Sequence, residues 1–260
     1  MVKNGWIAVG ALALTLGASM QAAGLETLHK SCSISVSENE GKFRLRIMDA
    51  GCNDDDNCRN FNDDSVSRLA GITLADLGRE GAQITASLSA EAGKFVCAGT
   101  VHEDVLRGDA TFTPDEGFVG RMRGMGFSGL DSEKLETYTL FDISTAWVDS
   151  LKKAGISGLS VDNLIALKIF RVDAAYVSGI TSMGYETPDA DKLVGLKVQG
   201  VNAEEVREIR GLGYKPTLDE LVQIRIFHIT PDFIKRMQSR GLHDLTISKL
   251  VQIKIFKLDE

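Results

Sequence analysis

The second half of the chain has a pattern of apolar and polar positions that repeats every 28 or 29 residues. In each of five copies a glycine is followed eight or nine residues later by a leucine. The glycines are Gly126, Gly155, Gly184, Gly213 and Gly241, and the leucines are Leu135, Leu164, Leu193, Leu221 and Leu250. Further apolar residues follow at offsets three, five and eight, as in Leu167, Ile169 and Val172 after Leu164. The pattern predicts a solenoid of five units over residues 115–260.

One helix is predicted before the glycine of each unit. Residues that commonly cap helix N-termini precede it at Ser144, Asp173, Asn202 and Thr230. Pro231 occupies a first-turn position, and Phe233 with Met237 belongs to an apolar stripe at helical spacing. The glycine is expected to end the helix as a C-cap.

The second element of each unit, Leu-x-x-Leu-x-Ile-x-x-Val, fits either a strand or a helix. Ile224-Arg225-Ile226 alternates as a strand does, and Gly195 is unfavourable inside a helix. A helix would begin well at Ser160, but it would place Lys168 on the apolar face. We favour the strand, which gives units of one helix and one short strand; repeats of helix pairs are the alternative.

The first half of the chain alternates apolar and polar residues from about Cys32 to Thr113, as strands with one buried face do. Glu40-Gly41 and Ala92-Gly93 stand where hairpin turns belong, and Pro114 ends the pattern. Residues 24–114 are therefore predicted to form an antiparallel meander or small barrel of five or six strands. Together with the repeats, this predicts an α+β protein.

The N-terminus has the composition of a secretory signal sequence. Lys3 precedes the apolar run from Ile7 to Ala18, and the small residues Ala22 and Ala23 follow. The run is shorter than the roughly 20 residues that span a bilayer, and no later segment is long and apolar enough. Residues 1–23 are therefore predicted to be cleaved, leaving a periplasmic or secreted protein without stable membrane insertion.

The four cysteines, Cys32, Cys52, Cys58 and Cys97, all lie in the first half, as expected for an exported domain with disulfides. Four cysteines allow three pairings, of which we favour Cys52–Cys58 as a local clip and Cys32–Cys97 as a long-range bond. A zinc site is disfavoured because there is no CxxC pair and no histidine near Cys52 and Cys58. No metal or other cofactor is predicted.

The Leu-x-x-Leu-x-Ile segments resemble the LxxLxL segment of leucine-rich repeats, near the long end of their period range. The usual asparagine is replaced by Val172, Val201, Ile229 and Leu258, so the asparagine ladder of that family is not expected. The whole unit also resembles repeats in exported bacterial proteins of unknown function and in the tails of sensor-type membrane metallopeptidases. This second resemblance covers residues 115–258 and implies no activity, because the peptidase motif His-Glu-x-x-His is absent.

A column of basic and aromatic residues is the strongest candidate binding site. If the second element is a strand, stacking aligns one cation from each of four units beside recurring phenylalanines. The cations are Lys168, Lys197, Arg225 and Lys254, and the phenylalanines are Phe170, Phe227 and Phe256. Such a column could bind an acidic peptide, a glycan or an anionic polymer. The alternative is that the repeats copy tolerated solvent-exposed residues.

The sequence gives only weak indications of a calcium site, a catalytic histidine or a nucleic-acid-binding motif. The acidic segment Asp54-Asp55-Asp56 could collect calcium, although it lacks the ligand alternation and central glycine of a helix-loop-helix calcium loop. The four histidines are scattered, outside catalytic motifs, and His228 is expected to be a structural side chain in an apolar core. Ala154-Gly-Ile-Ser-Gly-Leu is similar to the turn of DNA-binding helix-hairpin-helix motifs, but export and a net charge of -7 argue against nucleic acid.

These observations favour a non-catalytic exported binding or scaffold protein that recognises a partner through the repeat face. The expected partner is a protein or an anionic polymer of the cell envelope. The alternative function is a modulator or inhibitor of an envelope enzyme such as a peptidase, acting through the β domain.

Overall fold

The structure is a computed structural model that describes residues 25–39, 41–49 and 60–258. It confirms an α+β fold in which one antiparallel sheet precedes a series of helices. The strands are β1 (Leu28–Val36), β2 (Phe43–Asp49), β3 (Asn60–Val66), β4 (Gln83–Ala90), β5 (Gly93–His102) and β6 (Val105–Pro114), and the short helix α1 (Leu74–Leu77) lies between β3 and β4. The predicted signal sequence and the predicted Cys52–Cys58 bond lie outside the described residues.

Within the described residues, the sheet has six strands in the order β3-β2-β1-β6-β5-β4, with every neighbouring pair antiparallel. The period-two alternation predicted from the sequence is realised, since Leu45 and Ile47 are buried whereas Arg46 between them is exposed. One face of the sheet therefore carries the core, and the other face is polar.

The predicted Cys32–Cys97 disulfide is confirmed and joins β1 to β5 across β6. Neighbouring strands are about 4.8 Å apart, so strands two places apart in a flat sheet would be separated by roughly 10 Å. The Cα atoms of the two cysteines are only 6.0 Å apart, which requires a sharp bend in the sheet at β6. Gly99 and Gly108 face each other there, and a Cβ atom on either would lie 2.0 Å from a backbone oxygen of the neighbouring strand.

In the part of the chain that the structure describes, ten helices follow the sheet as five pairs. They are α2 (Glu116–Gly124), α3 (Ser132–Phe141), α4 (Thr145–Lys153), α5 (Val161–Ile169), α6 (Ala174–Thr181), α7 (Ala190–Val198), α8 (Ala203–Gly211), α9 (Leu218–Ile226), α10 (Pro231–Ser239) and α11 (Ile247–Ile255). We call the even-numbered members of α2–α11 the A helices and the odd-numbered members the B helices. The side chains of the predicted N-caps Ser144, Asp173, Asn202 and Thr230 each accept a backbone N–H hydrogen bond.

The strand prediction for the second element is wrong, because all five copies are α-helical. Leu221 and Ile224 are buried at helical spacing, whereas Ile226, which a strand would bury with Ile224, is half-exposed. Reciprocal capping also stabilises the helix, since Thr217 and Glu220 bond each other's backbone N–H groups at the start of α9. Of the two alternatives left open by the sequence, helix pairs are therefore observed.

The sheet and the first helix pairs share one hydrophobic cluster, which includes Cys32, Phe95, Leu135 and Leu193. A second cluster begins at Ile180 and continues to Val251. The predicted boundary between residues 114 and 115 therefore lies within a continuous core. None of the helices in the described part of the chain is both long and apolar enough to cross a membrane.

Candidate binding surfaces

The four predicted cations occupy one equivalent position, the eighth residue after the N-cap of a B helix. They are Lys168 in α5, Lys197 in α7, Arg225 in α9 and Lys254 in α11. Because the elements are helices, the cations do not form the strand ladder on which the binding prediction was based. All four are only partly exposed.

Each of the three lysines contacts an aromatic ring of the preceding A helix. The Nζ atoms of Lys168, Lys197 and Lys254 lie 5.0, 4.3 and 4.2 Å from the ring centres of Trp147, Tyr176 and Phe233, respectively. Each ring belongs to the third residue after the N-cap of its helix. These cation–π contacts join the two helices of a pair.

Arg225 makes the equivalent connection to a carboxylate. The third residue after the N-cap of α8 is Glu205, and Arg225 Nη1 donates to its Oε2 atom at 2.7 Å. Arg225 Nε also donates to the backbone oxygen of Gln199, 3.0 Å away at the end of α7. Lys168 likewise donates to the backbone oxygen of Asp142 at the end of α3, at 2.7 Å. These two cations thus also join their B helix to the preceding B helix.

The ionisation of these side chains reflects their burial. Burial lowers the pKa of the Lys168 ammonium group, and the nearby Asp142 carboxylate partly opposes this shift. Burial raises the pKa of Tyr176 to about 12, and its hydroxyl donates to the backbone oxygen of Val201 at 3.2 Å. The predicted binding cations are therefore structural contacts within the chain, and their role in recognition stays a prediction.

The predicted phenylalanines follow directly after the B helices as C-caps. Phe170 and Phe256 are exposed, by 40% and 68%, and Phe227 is half-buried. Gln199 occupies the same position after α7. The phenylalanines therefore lie at the same end of the B helices as the cations.

A row of exposed aliphatic residues is the feature that sequence reasoning missed. The last residues of α5, α7, α9 and α11 are Ile169, Val198, Ile226 and Ile255, and they are between 46% and 52% exposed. The helices contact one another in sequence order, and packed helices are 8–10 Å apart, so the row of four residues is roughly 24–30 Å long. The signal was present at offset five from each leucine, but the strand interpretation placed these residues inside.

The row belongs to a helix surface that we call the B face, formed by the fifth, eighth and ninth residues after the N-cap of a B helix. In the four B helices α5, α7, α9 and α11, the fifth and ninth residues after the N-cap are aliphatic and the eighth is the cation. In α3 the corresponding residues are Glu136, Thr139 and Leu140, and all three are buried. The B face is thus covered in α3, whereas in α5, α7, α9 and α11 its ninth residue is open to solvent.

The sheet covers the B face of α3. This helix packs against β4, β5 and β6, and Lys30 of β1 donates to Glu136 Oε2 at 2.6 Å. Arg68, which follows β3, donates to the backbone oxygens of Thr139 and Leu140 at 3.1 and 2.9 Å. Helix α3 is therefore an example, within the same chain, of a B face that is covered by another element.

The remaining candidate residues do not assemble into a reactive site. The predicted calcium segment, Asp54-Asp55-Asp56, lies outside the described residues. Within residues 25–39, 41–49 and 60–258, no group of three or more His, Cys, Asp and Glu side chains is placed to hold a metal ion. His228 is not in the core as predicted; it is exposed with a φ of 52°, in the left-handed conformation that follows α9.

Comparisons of the chain with protein-family models, curated proteins and solved structures give no significant match.

Proposed function

We propose that this protein is a non-catalytic, exported binding protein whose repeats form a short solenoid and recognise a protein partner through the B faces of α5, α7, α9 and α11. The observation that carries the proposal is the row of exposed aliphatic residues, Ile169, Val198, Ile226 and Ile255. Solenoids bind partners in this way because equivalent residues of successive units align on one surface.

The distribution of exposed apolar side chains supports this surface. Ten large hydrophobic residues of the described chain are exposed, and seven of them lie at the C-terminal ends of B helices or directly after them. The seven are Ile169, Phe170, Val198, Ile226, Ile255, Phe256 and Leu258. Contiguous exposed apolar patches mark interaction sites more often than single exposed residues do.

The chemistry of the B face indicates the chemistry of the partner. A cation lies next to each exposed aliphatic residue, but these cations make contacts within the chain, as Arg225 does with Glu205, so the aliphatic residues are what the surface offers to a partner. In α3 the same face accepts the sheet, whose contribution there is an apolar surface together with the charged side chain of Lys30. The partner is therefore a protein segment that presents an apolar strip.

The proposal can be tested by substituting residues of the exposed aliphatic row with serine, which leaves the buried core residues unchanged. The full chain is used to capture proteins from an envelope extract, the retained protein is purified, and its affinity is measured by calorimetry. Val198→Ser with Ile226→Ser is expected to weaken binding by at least about tenfold, because each side chain is half-exposed in the free protein and the pair together loses roughly 1.5–3 kcal/mol of apolar burial. Leu242→Ser, which removes another exposed aliphatic residue of the repeats, is the matched control and should bind as the wild type does.

Two outcomes would contradict the proposal. If the serine pair binds as tightly as the wild type, recognition does not use the row. If the captured protein is a second copy of this chain and sedimentation shows a dimer, the occupant is the protein itself. Deletion of residues 115–260 is less informative, because it would uncover the core that α3 shares with the sheet.

A further inference from the structure

Helices α6 and α7 form a pair in which both helices carry an interior glycine. Gly179 in α6 and Gly195 in α7 are each the sixth residue after the N-cap, a position at which the other eight helices of α2–α11 have no glycine. Gly120 of α2 is also interior, but its partner helix α3 contains no glycine. Interior glycines destabilise a helix relative to alanine, so two of them in one pair weaken both of its helices.

The local geometry requires neither Gly179 nor Gly195. Both lie outside the glycines with a positive φ, and a Cβ atom on either would meet no atom within 4 Å. Alanine would therefore fit at both positions and would favour the helix. A residue that lowers stability without a local structural reason is expected where a function requires it.

The hydrophobic core divides at these two glycines. Val177 of α6 and Leu193 of α7 belong to the cluster that α2–α5 share with the sheet, whereas Ile180 and Leu196 belong to the cluster of α8–α11. In each helix the glycine lies between the two residues named. The buried hydrophobic residues of every other pair among α2–α11 belong to a single cluster. The first and second halves of α6 and α7 are thus packed into different cores.

The hydrogen bonds to the neighbouring pairs are divided in the same way. Before the glycine of α7, the backbone N–H of Ala190 donates to the backbone oxygen of Ser157, 3.0 Å away between α4 and α5. After the glycine of α6, the backbone oxygen of Met183 accepts from Arg210 of α8. The bond from Arg225 of α9 likewise reaches the residue directly after α7. The pair is therefore joined to the preceding helices before a glycine and to the following helices after one.

Tyr176 of α6 is a side chain that crosses this division. It precedes the glycine of α6, but its hydroxyl donates to the backbone oxygen of Val201 at 3.2 Å, and its ring contacts Lys197, whose Nζ lies 4.3 Å from the ring centre. Lys192 of α7 also pairs with Asp219 of α9, but both side chains are partly in solvent, where ion pairs are weak. These contacts limit a movement of the two cores without preventing it.

Helix α6 also has open space on both sides. A depression of about 550 Å³ lies between α4 and α6, and another of about 360 Å³ lies between α6 and the start of α8. Small residues of α6 line them, as Ala174 and Ser178 do in the first and Ala175 and Gly179 in the second. Close packing resists deformation, so this space permits α6 to bend.

We propose that the α6–α7 pair is a hinge at which the series of helices bends, with Gly179 and Gly195 as the points where the two helices flex. The sheet with α2–α5 forms one moving body, and α8–α11 form the other. Ile169 lies in the first body and Ile226 and Ile255 in the second, so bending changes the curvature of the exposed aliphatic row. The hinge is a property of the free protein and does not depend on the function proposed for that row.

The test is the distance between two spin labels, one on each body, measured on the full chain by pulsed electron paramagnetic resonance. The labels are attached to p-acetylphenylalanine in place of Arg123 in α2 and Lys235 in α10, which are both exposed, so the native cysteines stay unchanged. Packed helices are 8–10 Å apart, so four steps separate the labels by roughly 32–40 Å. The wild type is expected to give a broad distance distribution. Gly179→Ala with Gly195→Ala should narrow it by lowering the population of bent conformations about fivefold, because each alanine favours the regular helix.

Glu208→Ala with Gln223→Ala is the matched control. These are the sixth residues after the N-caps of α8 and α9, whose buried residues all belong to one cluster, so the distribution should stay as broad as in the wild type. The hinge is refuted if the wild type is already as narrow as the glycine-to-alanine pair. It is also refuted if the control narrows the distribution equally, which would show a general effect of helix stabilisation. Circular dichroism of each variant verifies that the fold is retained.

Discussion

Helices α3 and α9 occupy equivalent positions in their units but bury different amounts of their surface. In α3 the fifth, eighth and ninth residues after the N-cap are buried against the sheet. In α9 the corresponding residues are Val222, Arg225 and Ile226, of which Ile226 is 50% exposed. The difference shows that the repeat pattern specifies the helix, whereas the neighbouring element determines whether its B face is covered.

The sequences of the two helices differ where their surroundings differ. The cation of the eighth position is replaced in α3 by Thr139, which is fully buried. The aliphatic residue of the fifth position is replaced by Glu136, which pairs with Lys30. The ninth position is aliphatic in both helices, as Leu140 and Ile226. The two residues therefore differ in whether a neighbouring element buries them.

The largest expected difference in stability between equivalent variants of α3 and α9 concerns this ninth position. Leu140→Asp should lower the free energy of unfolding by about 4 kcal/mol, because it places a charge in a closed apolar site. Ile226→Asp should lower it by less than about 1 kcal/mol, because the side chain reaches water. Both residues lie in the last turn of a helix, so the effect of the helix dipole is the same for the two variants. Urea denaturation measures both values.

Equal losses in the two variants would contradict the comparison. They would show that the B face of α9 is as closed in solution as that of α3. A small loss for Leu140→Asp alone would show instead that α3 is not firmly packed on the sheet.

A substitution at the fifth position of α3 is expected to have the next largest effect on the free energy of unfolding. Glu136→Val introduces the residue found in α9 but leaves Lys30 without its main partner, so the free energy of unfolding should fall by about 2 kcal/mol. Asp49, 3.6 Å from Lys30, limits the loss. The double variant Lys30→Met with Glu136→Val should recover most of it, because replacing both members of a buried ion pair is often neutral. A double variant no more stable than Glu136→Val would show that Lys30 does not depend on Glu136.

The choice between strand and helix was the main failure of prediction from sequence, and its cause lies in the motif. Leu221 and Ile224 are three residues apart and Ile224 and Ile226 are two apart, so the same residues satisfy both periods. The capping box of Thr217 and Glu220 was a local signal for the helix. The charge that argued against the helix is accommodated because Lys168 extends from the last turn to Trp147 and to Asp142.

The alternating strands, the N-caps and the Cys32–Cys97 bond could be predicted because each depends on local pattern or on few alternatives. The candidate binding surfaces could not be predicted in this way. Lys30 and Glu136 are 106 residues apart in the sequence, and only the packing of α3 on the sheet brings them together at the covered B face. Such pairings join residues that are far apart in sequence, and no local propensity encodes them.

The smallest expected effect concerns the sixth position of the B helices, which is Ala166 in α5 but Gly195 in α7. A Cβ atom on Gly195 would meet no atom within 4 Å, so Gly195→Ala should raise the free energy of unfolding by about 0.5–1 kcal/mol. Gly200→Ala, five residues later, should have the opposite sign, because its φ is 70° and its Cβ would lie 3.1 Å from Arg225 Nη2. Thermal and urea unfolding of the two variants measure both changes. Destabilisation by Gly195→Ala would mean that the B helices pack more tightly at this position than the structure shows.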